Sequence, residues 1–189
     1  YDQFIDWCAK SIRASQGVWG HIIGNEPNRA GERPDYRNDQ NKGTPILPSD
    51  VAYIVNAVWQ NAPAATRISP PAIDPTNVET DDPRKYWKEM LTDLADVEFF
   101  ALHAYSYGSG QPVDSKDKFE SMTWQYHSFR MWEPIAQVLY TDSRFRNKPI
   151  IITETNHLFK HNDDTKPGWE ANADGHDDTP CPRRRRHHS

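Results

Sequence analysis

The sequence predicts an α/β fold in which parallel strands are covered by helices. Helical and strand-like segments alternate along the chain, and the strands are unbroken apolar runs rather than alternating ones. Unbroken runs belong to strands buried on both faces, which is the condition of a parallel sheet between helices. At 189 residues the chain is long enough for one domain with a real core and short for two.

The elements follow in order. Phe4, Ile5, Cys8, Ala9 and Ile12 recur at helical spacing and end near Gly17. Val18 to Ile23, bounded by Gly24-Asn25, reads as a buried strand, and Arg29 to Thr44 as a long polar loop. Pro48-Ser49-Asp50 opens a helix to about Asn61, with Ser49 as its expected N-cap. A short strand over Ala65 to Ser69 stops at Pro70-Pro71, and a helix covers Pro83 to Leu94. Val97 to Tyr105 (VEFFALHAY) is a long apolar strand, Met122 to Tyr140 a Trp-rich helix, and Pro149 to Thr153 the last strand. Residues 1–170 are expected to form the domain. Residues 171–189, which end in Arg183 to Arg186 and two histidines, read as a polar, Arg-rich tail without a folding element.

Composition excludes some functions. A net charge of −5 gives no basic face for nucleic acid, and the terminal arginine run reads as a solvated tail. No stretch approaches the roughly 20 consecutive apolar residues of a membrane span, so a soluble protein is expected. Cys8 sits in a helical pattern and Cys181 in the tail, which predicts no disulfide framework. The chain opens at Tyr1 with neither a methionine nor a leader, the pattern of a fragment or a processed protein, and nothing in it assigns a compartment.

In a parallel α/β sheet ligands bind where the strands end. The first strand ends in Asn25, Glu26 and Pro27, the third carries His103 and Tyr105, and the fourth ends in Glu154, Thr155 and Asn156. Two carboxylates on one rim are what acetal cleavage needs: a protonated one to help the leaving oxygen depart, and an ionised one to attack or stabilise the sugar cation. Taken singly, either glutamate reads as a surface charge, and His103 reads equally as a site residue or a hydrogen-bonded core histidine. His21 reads as structural. His157 and His161 stand at i, i+4, but no third ligand has suitable spacing, so no metal and no cofactor are expected. Seven Trp and eight Tyr suit stacking on flat ligands as well as filling a core. Trp19, Trp124 and Trp132 read as core, and Trp169, in a polar segment, as a sugar platform.

These segments also resemble a family. WGHIIGNEPN (19–28) resembles the acid/base strand of the clan of retaining (β/α)-barrel glycoside hydrolases that includes cellulases and mannanases, clan A. FALHAY (100–105) is similar to that clan's sixth strand and PIIITETN (149–156) to its seventh. The resemblance implies a partial TIM barrel of about four parallel βα units, covering roughly barrel strands four to seven, where a complete barrel has eight strands in about 250 residues. It implies a retaining glycosidase acting on a β-linked oligo- or polysaccharide, with Glu26 as general acid/base and Glu154 as nucleophile. Asn25 is then expected at the sugar 2-hydroxyl, His103 in the site wall, and Tyr105 on Glu154. The acid role calls for a raised pKa at Glu26, which burial and a charged Glu154 are expected to supply. A non-catalytic sugar binder and a self-assembling half-barrel are the alternatives. Half a barrel leaves two apolar strand edges open, Val18 to Ile23 and Pro149 to Thr153, so the expected partner is a second copy of the chain pairing through them.

Overall fold

The computed structural model describes residues 1–15, 17–32, 46–77, 79–80, 82–107 and 114–158, with the backbone alone for 107 and 156–158. Trp169, Cys181, His161 and the whole 171–189 tail lie outside the described residues, as do the side chains of Asn156 and His157. Within them the fold is mixed α/β, with four α-helices and two pairs of parallel strands.

Helix α1 (Asp2–Ala14) buries Ile5, Cys8, Ala9 and Ile12, a stripe at the helical period. The Ser15 hydroxyl closes it on the Ser11 carbonyl at 2.6 Å, and Arg13 donates to the Asn61 carbonyl at 2.9 Å, tying α1 to the end of α2. Helix α2 (Pro48–Asn61) fully buries Ala52, Val55 and Val58. Its N-cap is Leu47, and Ser49 does not cap it. Proline at the first helical position fixes its φ and moves the boundary one residue earlier, which puts Ser49 inside the first turn. Helix α3 (Pro83–Asp93) begins at Asp82, whose carboxylate accepts the Arg84 N–H at 2.8 Å.

The fourth helix departs from expectation. A 3₁₀ turn (Phe129–Met131) leads into α4 (Trp132–Thr141), and 122–128 are turns rather than helix. Pro134 explains this: deep in a helix running from Met122 it would clash with the Arg130 carbonyl, whereas in the first turn of α4 it is tolerated. Ser128 starts the new segment by accepting the Arg130 N–H at 3.2 Å.

Strand β1 (His21–Ile22) pairs in parallel with β2 (Ile68–Ser69), and β3 (Phe100–Tyr107) with β4 (Ile150–Leu158). The first strand is shorter than the apolar run because Val18 and Trp19 stay exposed and Trp19 packs edge-on against Phe99. Gly20 is required there, since a Cβ would lie 2.7 Å from the Phe99 ring. The last strand runs past Thr153, because β3 itself continues to Tyr107 and offers partners that far. Glu154 therefore lies within a strand.

The two pairs meet at a seam where side chains supplement the ladder. Glu98 N–H donates to the Ile68 carbonyl at 3.1 Å, and the Glu98 carboxylate accepts the Ile68 N–H at 2.7 Å. The Ser69 hydroxyl accepts the Ala101 N–H at 2.9 Å. The strands thus follow one another in sequence order, β1 to β4. Consecutive helices pack on each other, α1 on α2, α2 on α3 and α3 on α4. One core fills the space between helices and strands, with Trp87 and Phe145 set edge-on against Phe100. Among the described residues no helix is long and apolar enough to cross a membrane.

Ile68 is fully buried, so its N–H has no route to water if Glu98 is lost. Replacing Glu98 by Ala is expected to destabilise the fold by about 1–3 kcal/mol. Glu98→Gln keeps an acceptor and is expected to lose less, as read by denaturant unfolding.

Candidate active site

Successive side chains of a strand point to opposite faces. Along β3, Phe100 and Leu102 enter the core, which turns His103 and Tyr105 to the other face. On β4 the register sets Leu102 opposite Ile152 but His103 opposite Glu154, so Thr153 is an extra residue. This bulge decides where the carboxylate points. In an unbroken register Thr153 would stand beside His103, and Glu154 beside Ala104 on the core side. With the bulge, Glu154 and His103 share a face. The Thr153 hydroxyl donates to the Leu102 carbonyl at 3.4 Å across the irregularity.

Glu26 arrives from the turn after β1. Gly24 has φ +95° and Glu26 itself φ +36°, a left-handed conformation that costs an ordinary residue roughly 1–2 kcal/mol. Bonds from Glu26 N–H to the Ala72 carbonyl and from Arg29 N–H to the Glu26 carbonyl, both 2.9 Å, hold it. The twist separates neighbours: Glu26 turns inward and is 2% exposed, while Asn25 faces out.

Four of the expected site residues come together. Glu26 Oε1 lies 2.7 Å from His103 Nδ1. The Tyr105 hydroxyl donates to Glu154 Oε2 at 2.7 Å and lies 3.4 Å from Glu26 Oε1. His103 Nε2 stands 3.6 Å from Glu154 Oε1. His103 is buried, and its ring stands between Glu26 and Glu154. Glu154, by contrast, has a side chain 48% exposed.

Asn25 is not part of this group. It lines a cleft of about 520 Å³ with Tyr1, Phe4, Ile23, Pro27 and Pro71. Trp19 carries Arg67 over its ring, Trp124 carries Arg84, and Trp132 packs on the core. Sequence reasoning missed Arg29 and Asp74. Arg29 Nη1 donates to Glu26 Oε2 at 2.9 Å, and its Nε stands 3.6 Å from Asp74 Oδ2. The strand-end rule applied to β2, whose following segment runs Pro70 to Asp74, was the available signal.

The electrostatics correct one expectation. Burial is the largest single influence on Glu26 and pushes its pKa up. The hydrogen bonds and charges of His103 and Arg29 together outweigh it, and the carboxyl titrates below the usual range. Glu26 is thus held as a carboxylate, not raised. Tyr105 is pushed well above an ordinary phenol by burial, by its bond to Glu154 and by the surrounding carboxylates, which keeps it a neutral donor. Glu26, His103 and Glu154 offer ligand atoms that all lie within 4.8 Å of one another, a donor set suited to a divalent metal. Both Glu26 oxygens are already engaged by His103 and Arg29, so the group works as a hydrogen-bonded charge network. No family model matches the chain, and comparison with curated proteins gives no match either.

The network has a pH signature. A carboxyl whose pKa is lower folded than unfolded stabilises the fold above the ordinary Glu range, near pH 4.3, and loses that contribution as pH falls through the folded value. At pH 7 Glu26→Gln is expected to cost about 1–3 kcal/mol. The gap to wild type is expected to close towards pH 3, in denaturant unfolding at both pH values. A gap independent of pH would contradict the charge assignment.

Proposed function

We propose that this chain is the catalytic half of a retaining β-glycosidase, four βα units of a partial barrel, acting on β-linked oligo- or polysaccharides. The supporting observation is the carboxylate pair: Glu26 and Glu154 each present an oxygen within 4.8 Å of the other, and a tyrosine hydroxyl is bonded to the more exposed one. Retaining glycosidases need their carboxyl groups about 5–5.5 Å apart, close enough for direct attack and too close for an intervening water.

On this reading Glu154 is the nucleophile. The Tyr105 hydrogen bond occupies Oε2 and leaves Oε1 to attack the anomeric carbon while the glycosidic bond breaks. Glu26, once protonated, gives its proton to the departing oxygen. In the second step the Glu26 carboxylate takes a proton from water, which attacks the anomeric carbon and releases Glu154. Tyr105 and the buried His103 hold the two carboxylates at fixed distance through both steps.

The test uses aryl β-glycosides with leaving groups of graded acidity. Glu154→Ala is expected to abolish turnover. Glu26→Gln is expected to slow poor leaving groups by about 10²–10⁴-fold and activated ones far less, because these need little protonation. Equal rates for wild type and Glu154→Ala would remove the enzyme reading. Binding of cello- or manno-oligosaccharides by calorimetry would then favour a non-catalytic sugar binder.

The same reading includes assembly. Among the described residues β1 pairs with β2 alone and β4 with β3 alone, and Val18, Trp19 and Ile22 are exposed at the β1 side. A second copy pairing through these edges would cover them. Light scattering at micromolar concentration is expected to give a dimer mass, and Ile22→Lys to shift it to monomer. A wild-type monomer would overturn this.

A further inference from the structure

We infer that Arg29 is a removable cap on Glu26, shuttling between Glu26 and Asp74 and so setting when Glu26 can carry a proton. The inference rests on the glycosidase reading for its purpose, but its geometry stands alone. Glu26 has two oxygens, and each faces a donor: Oε1 faces His103 Nδ1 at 2.7 Å and Oε2 faces Arg29 Nη1 at 2.9 Å. A guanidinium offers only N–H donors and accepts nothing. A proton on Oε2 would take a lone pair from that oxygen and set it beside a fixed positive charge, so Arg29 in its present place disfavours protonation there. A proton on Oε1 would lie against the buried imidazole and near the Tyr105 hydroxyl. Oε2 is the oxygen whose donor is exposed, and Arg29 sits on it.

The two donors differ in freedom. His103 is packed inside the sheet face with the Tyr105 ring set edge-on to it and has nowhere to go. The Arg29 side chain is 51% exposed and already within 3.6 Å of Asp74 Oδ2. Asp74 is held ready by its own turn, its Oδ1 accepting the Thr76 N–H and hydroxyl at 2.8 Å. A short swing takes Arg29 from one carboxylate to the other without stranding its charge. Glu26 then faces His103 and Tyr105 from β3 and Glu154 from β4, with one cationic partner fewer. Arg29 is a positioning residue, acting through Glu26.

The experiment is an NMR titration of the full chain labelled with δ-¹³C glutamate, with the Glu26 signal assigned by its loss in Glu26→Gln. In Arg29→Gln the Glu26 midpoint is expected to rise by about 1–3 pH units, and Arg29→Lys to restore most of the shift. In Asp74→Asn, Arg29 keeps Glu26 and the more distant charge of Glu32 but loses its alternative partner, so the midpoint is expected to stay low or fall. If the chain hydrolyses aryl β-glycosides, the alkaline limb of kcat/KM in Arg29→Gln is expected to move up by the same interval. An unmoved Glu26 midpoint in Arg29→Gln overturns the cap, and a rise in Asp74→Asn overturns the shuttle. Absence of glycoside turnover in wild type would remove the glycosidase reading instead, and the titration would still decide the role of Arg29.

Discussion

A carboxylate buried where two strand pairs meet persists only if donors surround it, and the Glu26–His103 contact at 2.7 Å meets that demand. Much of the site's geometry follows from it. Glu26 belongs to the turn after β1 and His103 to β3, so the bond joins the two parallel pairs beyond the end of β1. The left-handed backbone at Glu26 is tolerated because it delivers the side chain to the imidazole. Once His103 is fixed, Tyr105 two residues on shares its face, and the bulge at Thr153 brings Glu154 alongside both. Strain in the turn and irregularity in the ladder are set against one buried charged contact.

The opposite end of the strands obeys the same rule with different chemistry. At the seam between β2 and β3, the Glu98 carboxylate accepts the Ile68 N–H and the Ser69 hydroxyl accepts the Ala101 N–H. Two polar side chains thus satisfy backbone donors that the interrupted ladder leaves over, which buried amides require. Glu98 also accepts from the Trp59 indole at 3.2 Å, so the seam is anchored to α2 as well. With polar ties at both ends and aromatic packing of Phe100 between them, β2 and β3 are held in register without a continuous ladder.

How far the sequence was readable follows from which forces are local. The helices were legible because Ile5, Cys8 and Ile12, or Tyr86, Trp87 and Met90, repeat at the period that the core enforces. The grouping of Glu26, His103, Tyr105 and Glu154 was legible because strand ends collect ligand-facing residues. What escaped depends on contacts between distant segments. The bulge at Thr153 exists through pairing with β3, and nothing in PIIITETN marks it. Asn25 is expected at the sugar 2-hydroxyl, and nothing in the sequence shows that positive φ at Gly24 and Glu26 turns its side chain outward while Glu26 turns in. The 122–140 segment read as one helix because its aromatics sit at tolerable spacing, and only the position of Pro134 argues otherwise. The raised pKa expected at Glu26 follows from the acid role, with burial and a charged Glu154 as its causes, and the sequence does not show that His103 and Arg29 donate to it.

On the proposed glycosidase reading, the difference between the two carboxylates sets what a bound sugar must change. Glu154 is half exposed and accepts one neutral donor, and Glu26 is enclosed between two basic side chains. Glu26 is held ionised, and the Tyr105 hydroxyl lies between it and Glu154. A ligand that displaces water from Glu154 removes the solvent that screens the pair, and repulsion between the carboxylates rises. Two carboxylates crowded in this way favour sharing one proton. Where that proton settles is decided by bonding. Glu154 keeps the Tyr105 hydroxyl on Oε2 and needs Oε1 as a lone pair, whereas Glu26 can release a mobile donor from Oε2 and receive the proton there. On this account the division into acid and nucleophile is set less by the resting pKa of Glu26 than by which of the two carboxylates can exchange a cationic partner for a proton.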